Sequence, residues 1–351
     1  MPLKFLSFPN LIQEYILKNM ELCEVFMMSL VSKKTKYCSI RARIKIPKIL
    51  FNIRKKAQSI RIGIDEKKMK TKTIIRLWEV RKLKTRRAVR IKIGDDFEDL
   101  AKIRSQESQT NEQLCLIKVE CIDETLMKGL YDHFKSLFCE SKSNSLWMET
   151  SMLFSIEKLP IYENVDKIFL TGESESADAK DFESFITRYP NLDSLRIQPE
   201  IIGELDVVID AQKVRLTNAG KFGTSLLEKF DGRHLLFSKW IVEEKQLNEF
   251  IKKWMKGEGY HNLETIQATL ILNWNIRMDD VVNELETERF DRTKRPEHFN
   301  IDNETLFGFY SPPVSFAGND TYDVIRESDG KRASVRASTN SFWFAVWNAG
   351  F

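Results

Sequence analysis

The stretch NLDSLRI, Asn191–Ile197, decides how most of this chain is read. Leu192 and Leu195 are separated by two other residues, and the same spacing returns in NVDKIFL (Asn164–Leu170) and NLETI (Asn262–Ile266). Each reads as a short strand. KVRLTN from Lys213 and HLLFSKW from His234 supply two more, and the spacing predicts helices over Asp178–Tyr189, Lys245–Lys256 and Met278–Glu288. Successive strands are roughly 20 to 30 residues apart, the range in which leucine-rich and related α/β repeats stack. An irregular, leucine-rich-repeat-like α/β region is therefore expected over residues 114–351. An ordinary parallel α/β sheet obeys the same alternation and stays open as the alternative.

Toward the C-terminus, YDVIRESDGKRASVRAS (residues 322–338) reads as two strands turning at Asp329-Gly330. SFWFAVW follows as an aromatic strand, with Phe342, Phe344 and Val346 on one face and Trp343 and Trp347 on the other, which implies burial. Gly257 reads as the stop of the preceding helix. Toward the N-terminus, LCLIKVE from Leu114 is a strand, followed by a helix on which Leu126, Leu130, Phe134 and Leu137 share a face.

Residues 46–113 form a basic, strand-rich segment. Ile60, Ile62 and Ile64 alternate with Arg61 and Gly63, and Val89, Ile91 and Ile93 alternate with Arg90 and Lys92. Between Lys33 and Lys92 there are 23 Lys and Arg against Asp65, Glu66 and Glu79, while the whole chain carries a net charge of only +4. Alternation makes these cations the solvated side of half-buried strands; a polyanion-binding surface is the rival reading.

In the opening stretch, Leu11, Ile12, Tyr15, Ile16 and Met20 fall at helical spacing after Pro9, whose missing N–H costs little there. Leu22, Val25, Phe26, Ser29 and Leu30 form a second series, so a helical hairpin is expected over residues 1–45. The lysines of Ser32-Lys33-Lys34-Thr35-Lys36 are expected to complement the negative C-terminal end of the second helix. Pro9, Asn10, Gln13 and Glu14 interrupt what a signal peptide would keep apolar, and no run of about 18 uncharged apolar residues predicts a membrane span.

Signs of bond chemistry are sparse. His133, His234, His261 and His298 stand apart from metal-ligand spacing, and no phosphate-cradling or nucleophile-elbow motif occurs. Cys23, Cys38, Cys115, Cys121 and Cys139 are odd in number and lack CxxC spacing, which disfavours a disulfide framework and points to a reducing, intracellular compartment. No cofactor is expected. Binding is the expected function, with an enzyme assembled from distant residues as a weaker rival.

Phe8–Lys36 resembles an F-box, with Phe8-Pro9 at the usual Leu-Pro, Ile16-Leu17 at the Ile-Leu, Glu24-Val25 at the Asp-Leu and Val31-Ser32-Lys33 at the Val-Cys-Lys. Thr35 stands where many members carry Trp. The ending SLVSKKTK, with FIKKWMKGEGYHNLETIQATL and the closing YDVIRESDGKRASVRASTNSFWFAVW, is similar to nematode F-box proteins that carry a type-2 F-box-associated domain. The resemblance implies a substrate-recognition subunit of a cullin–RING (SCF-type) ubiquitin ligase, non-catalytic itself. It would dock on a Skp-type adaptor, and through it a cullin, and bind a protein substrate, in the cytoplasm or nucleus. Phe8, Pro9, Ile12, Ile16, Leu17, Val25, Phe26 and Leu30 would divide between a small internal core and the adaptor interface. A nucleic-acid-binding protein using the basic block of residues 33–92 is the alternative function; no membrane partner is expected.

Overall fold

Three helices open the chain where the apolar spacing predicts two: α1 (Asn10–Asn19), α2 (Leu22–Ser29) and α3 (Lys33–Arg41). Met20 is extended and ends α1, and Glu21 caps α2, its N–H donating to Glu24 Oε2 at 3.1 Å. Ser32 then starts α3. Its Oγ accepts from Thr35 N–H, and Thr35 Oγ1 accepts from Ser32 N–H. This corrects the expected role of the lysines: Lys33 and Lys34 occupy the first turn of α3, the positive end of that helix, and cap nothing on α2.

The computed structural model describes residues 4–65, 70–83, 88–93, 97–107, 113–139, 143–172, 176–272, 274–300 and 313–347. Lys67, Lys68, Lys84, Arg86 and Arg87 of the basic block, and Glu66 among its acids, lie outside the described residues. The chain divides into two units, Met1–Lys167 and Ile168–Phe351.

In the first unit the helices are followed by strands β1 (Ile44–Lys45), β2 (Ile49–Arg54), β3 (Ala57–Asp65), β4 (Lys70–Glu79), β5 (Val89–Ile93), β6 (Phe97–Glu107) and β7 (Gln113–Val119). Helix α4 (Glu124–Leu137) and strands β8 (Phe138–Cys139) and β9 (Asn144–Glu149) complete it. The sheet order is β9-β2-β3-β4-β7-β6-β5, with β2–β9 and β4–β7 parallel and the other pairs antiparallel. The strand at Leu114 thus joins the basic strands in one sheet. Alternation sorts the faces: Phe51, Ile60, Ile75 and Cys115 are register partners and all buried, beneath α2 and α4. Leu126, Leu130, Phe134 and Leu137 are the buried face of α4, as their spacing predicts. Val89 departs from its expected buried position and is half exposed, while Ile91 and Ile93 are buried.

The division between units falls in β10 (Val165–Thr171). The second unit continues through β11 (Ser176–Asp178), α5 (Ala179–Ile186), β12 (Ser194–Ile197), β13 (Glu200–Ile202), β14 (Lys213–Leu216), α6 (Phe222–Glu228), β15 (His234–Trp240), α7 (Glu244–Lys256) and β16 (Thr265–Leu270). After α8 (Met278–Val281) come β17 (His298–Phe299), β18 (Val314–Ser315), β19 (Thr321–Ile325), β20 (Arg332–Ser338) and β21 (Ser341–Val346).

Strands β12, β14, β15 and β16 lie side by side, parallel and in chain order, and β21, β20 and β19 extend the sheet antiparallel. Leu195, Val214, Leu235, Ile266, Phe344 and Val335 are successive register partners and completely buried. Phe250 and Trp254 of α7 meet Phe344 edge-on at 5.1 and 5.3 Å, which sets this as the helix-covered face. Gly257 ends α7 with φ +69°, and a side chain there would also strike Ser328. The helix expected over Met278–Glu288 is a single turn: Glu284 takes a positive φ of 60°, and Glu288 bridges in extended form to Asp323.

Candidate functional site

The helical module has an inside and an outside. Leu17, Val25 and Phe26, three of the eight residues singled out from sequence, are completely buried. Phe8, Ile16 and Leu30 are half-buried, and Pro9 and Ile12 are exposed. Gln13, which from sequence only interrupts an apolar run, is an internal joint: its Nε2 donates to Phe8 O at 2.8 Å, and its Oε1 accepts from Cys38 Sγ and Arg41 Nη2, both at 3.1 Å. These bonds tie the chain entering α1 to α3.

Sequence reasoning missed most of the exposed apolar surface. Leu11 is 79% exposed, Tyr15 70%, Val31 76% and Tyr37 63%, with Leu6 and Ile40 also open to solvent. Leu11 and Tyr15 are one turn apart on the same side of α1. The available signal was the width of the apolar pattern on α1: Leu11, Ile12, Tyr15, Ile16 and Leu17 are too many for one face. Large apolar side chains left open in this density mark an interaction surface.

The second unit offers a different surface. On the sheet face turned away from α7, the row beside the buried one reads Arg196, Arg215, Leu236, Gln267, Trp343 and Arg336, again successive register partners. The Arg196 guanidinium sits 4.4 Å from the centre of the Phe169 ring. Burial, and then Arg196 beside it, lowers the pKa of Arg215 below its ordinary value. Gln267 Oε1 is buried without a hydrogen-bond partner. The face is thus polar and aromatic.

Two of the histidines, His133 and His234, are engaged structurally. Among the described residues, no cluster of three His, Cys, Asp or Glu is placed to hold a metal ion. His133 is buried against α2, and His234 Nδ1 meets Thr265 Oγ1 at 2.9 Å. A cavity of about 20 Å³ between β2 and α4 is lined mainly by Phe51, Tyr131, Phe134 and Phe138. Its Lys135 bonds Glu163 at 2.6 Å. Among the described residues, no helix is long and apolar enough to cross a membrane.

Comparison with known families matches residues 5–46 to the F-box domain and residues 190–268 to an F-box associated family. No curated protein and no solved structure matches the chain. The first match takes in α1 to α3 and β1, and the second runs from just before β12 into β16, the parallel strands that carry the row Arg196 to Gln267. The two domains in this order indicate an F-box protein of SCF-type substrate recognition, and such domains are typically non-catalytic.

Proposed function

We propose that the chain is a substrate receptor of an SCF-type ubiquitin ligase, of the group the sequence resembles in nematodes, and that residues 1–45 dock on a Skp-type adaptor and through it a cullin. The observation that carries this is the coincidence of the F-box match with three helices that bury Leu17, Val25 and Phe26 and leave Leu11, Tyr15, Val31 and Tyr37 exposed. The docking surface comprises these exposed residues with Phe8, Pro9, Ile12, Ile16 and Leu30. Leu17, Val25 and Phe26 hold the helices in place from within. The protein works in the cytoplasm or nucleus and contributes proximity, raising the effective concentration of a substrate lysine near the charged enzyme.

The substrate is a protein bound by the second unit. The aromatic and guanidinium groups of the row Arg196 to Arg336 support this face as the contact surface. Parallel strands stacked in chain order support a leucine-rich-repeat-like reading of this region. Pull-down of purified Skp-type adaptor with the full chain tests the first step. Wild-type protein that captures no adaptor would overturn the reading.

A further inference from the structure

In the first unit, the sheet face opposite α2 and α4 carries Arg54, Arg76, Lys102, Arg104 and Lys118, whereas Lys72 turns to Glu21 of α2. Arg54 pairs in register with Ala57, Ala57 with Trp78, Trp78 with Lys118 and Lys118 with Lys102, so one row crosses β2, β3, β4, β7 and β6. The neighbouring row runs Asn52, Ser59, Arg76, Leu116 and Arg104. Four strand-to-strand steps of about 4.8 Å make the strip about 19 Å long.

A cleft of about 170 Å³ opens in it, lined by Arg54, Arg61, Arg76, Ser59 and Trp78 among others. No hydrogen bond or ion pair within the described residues engages the guanidinium of Arg54, Arg61 or Arg76, and Arg61 Nε is buried without a partner. Burial, then Arg76 and Arg54, lowers the pKa of Arg61, so the three cations crowd one another with no anion between them. Among the described carboxylates nearby, Glu79 accepts from Ile122 N–H, Glu149 of β9 accepts from Lys55 N–H, and Glu98 lies 3.7 Å from Arg90. Trp78 is 47% exposed in the middle of the strip.

We infer that this face binds single-stranded nucleic acid, its phosphates along the cationic rows and a base stacked on Trp78. Charge complementarity calls for a polyanion, and the length of the strip spans about five phosphates at the stacked spacing of 3.4 Å. The open indole decides against an acidic or phosphorylated peptide, which needs the cations and makes no use of a planar face flanked by them. This activity is independent of adaptor docking.

The test is fluorescence anisotropy of the full chain with a labelled oligothymidylate about 12 nucleotides long, titrated across a salt series. Binding should weaken steeply with salt, and Arg54→Gln and Arg76→Gln should each reduce the slope of log K against log salt by about 0.7. Trp78→Ala should weaken binding about tenfold without changing that slope, and Trp78→Phe should restore it. Trp78 is at the surface, so its variants should keep the wild-type circular dichroism melt. Absence of binding at about 50 mM salt would overturn the inference. So would polyglutamate competing as well as the oligonucleotide, or duplex DNA binding as tightly with Trp78→Ala having no effect. Tyr15→Glu should bind the oligonucleotide like wild type, which separates this outcome from that of the adaptor experiment.

Discussion

Ser29 Oγ and His133 Nε2 lie 2.7 Å apart in the core of the first unit, joining α2 to α4. Ser29 Oγ donates its own proton to Phe26 O at 2.6 Å, so it accepts from His133, which fixes the Nε2–H tautomer of the ring. The same imidazole meets Phe26 edge-on at 5.4 Å. His133→Ala removes a buried ring and leaves the hydroxyl oxygen short of a donor. We expect a loss of about 3 kcal/mol in urea denaturation; a change under about 0.5 kcal/mol, typical of a surface site, would contradict this account.

Exposure separates two classes of variant in the helical module. Leu11→Glu and Tyr15→Glu alter open side chains and should leave the melting temperature within the small range of surface substitutions while reducing adaptor binding at least tenfold. Leu17→Ala or Phe26→Ala should instead cost about 2–5 kcal/mol of stability. Thermal melts alongside adaptor titration by calorimetry distinguish the two, and loss of fold in Tyr15→Glu would refute the assignment of that face.

The terminal hairpin should carry an acid-sensitive contribution. Hydrogen bonds from Arg326 hold the Asp329 carboxyl well below the ordinary carboxylate range, and Arg326 is itself buried. A depressed folded-state pKa contributes stability that is fully present above the unfolded value of about 3.9 and is lost as pH falls below it. Glu288, lowered by its bonds from Lys294 and then Arg332, acts in the same direction. Denaturation midpoints should therefore drop below about pH 4, and Asp329→Asn should begin less stable at neutral pH and show a shallower drop. An equal acid slope in the variant would remove Asp329 from the explanation.

The thiols should differ sharply in reactivity. Burial pushes Cys115 up to about 12, and burial with Glu24 and Glu21 raises Cys23, so neither is a nucleophile in the folded chain. Cys121 is exposed, although its pKa is also raised. Mass spectrometry after brief alkylation at neutral pH should find Cys121 modified ahead of Cys23, Cys38 and Cys115, which should react only in denaturant. Early labelling of Cys115 would mean that α2 opens readily from the sheet.

Much of the architecture was legible because strands write their two faces into alternate residues. Ile60 beside Arg61, and Leu195 beside Arg196, announce which side each strand buries, and the register then lines these residues up across the sheet. The helical module was harder to read for a physical reason. Its α1 is apolar on more than one side, and which side is covered is decided by α3, itself packed on α2 and on α4, the latter distant in sequence. The third helix was overlooked because Lys33 and Lys34 suggested an ending, whereas the Ser32–Thr35 cap made it a beginning. The strip around Trp78 was equally illegible: the charge run was visible, but the lack of partners for Arg54, Arg61 and Arg76 among the described residues is a property of three strands together.

The packing of α2 on its own sheet has one more consequence. Lys72 on β4 pairs with Glu21 at the start of α2, and Phe26, Ser29 and His133 lock the same helix from the other end. The helical module is thus answerable on two sides, to a visitor on its outer surface and to neighbours more than a hundred residues along the chain. Substitutions on the inner side of α2 should be inherited only in company with changes in α4 and β4, while the outer side drifts to the tolerance of whatever it binds. Grafting residues 1–45 onto another scaffold would strip away half of what shapes them.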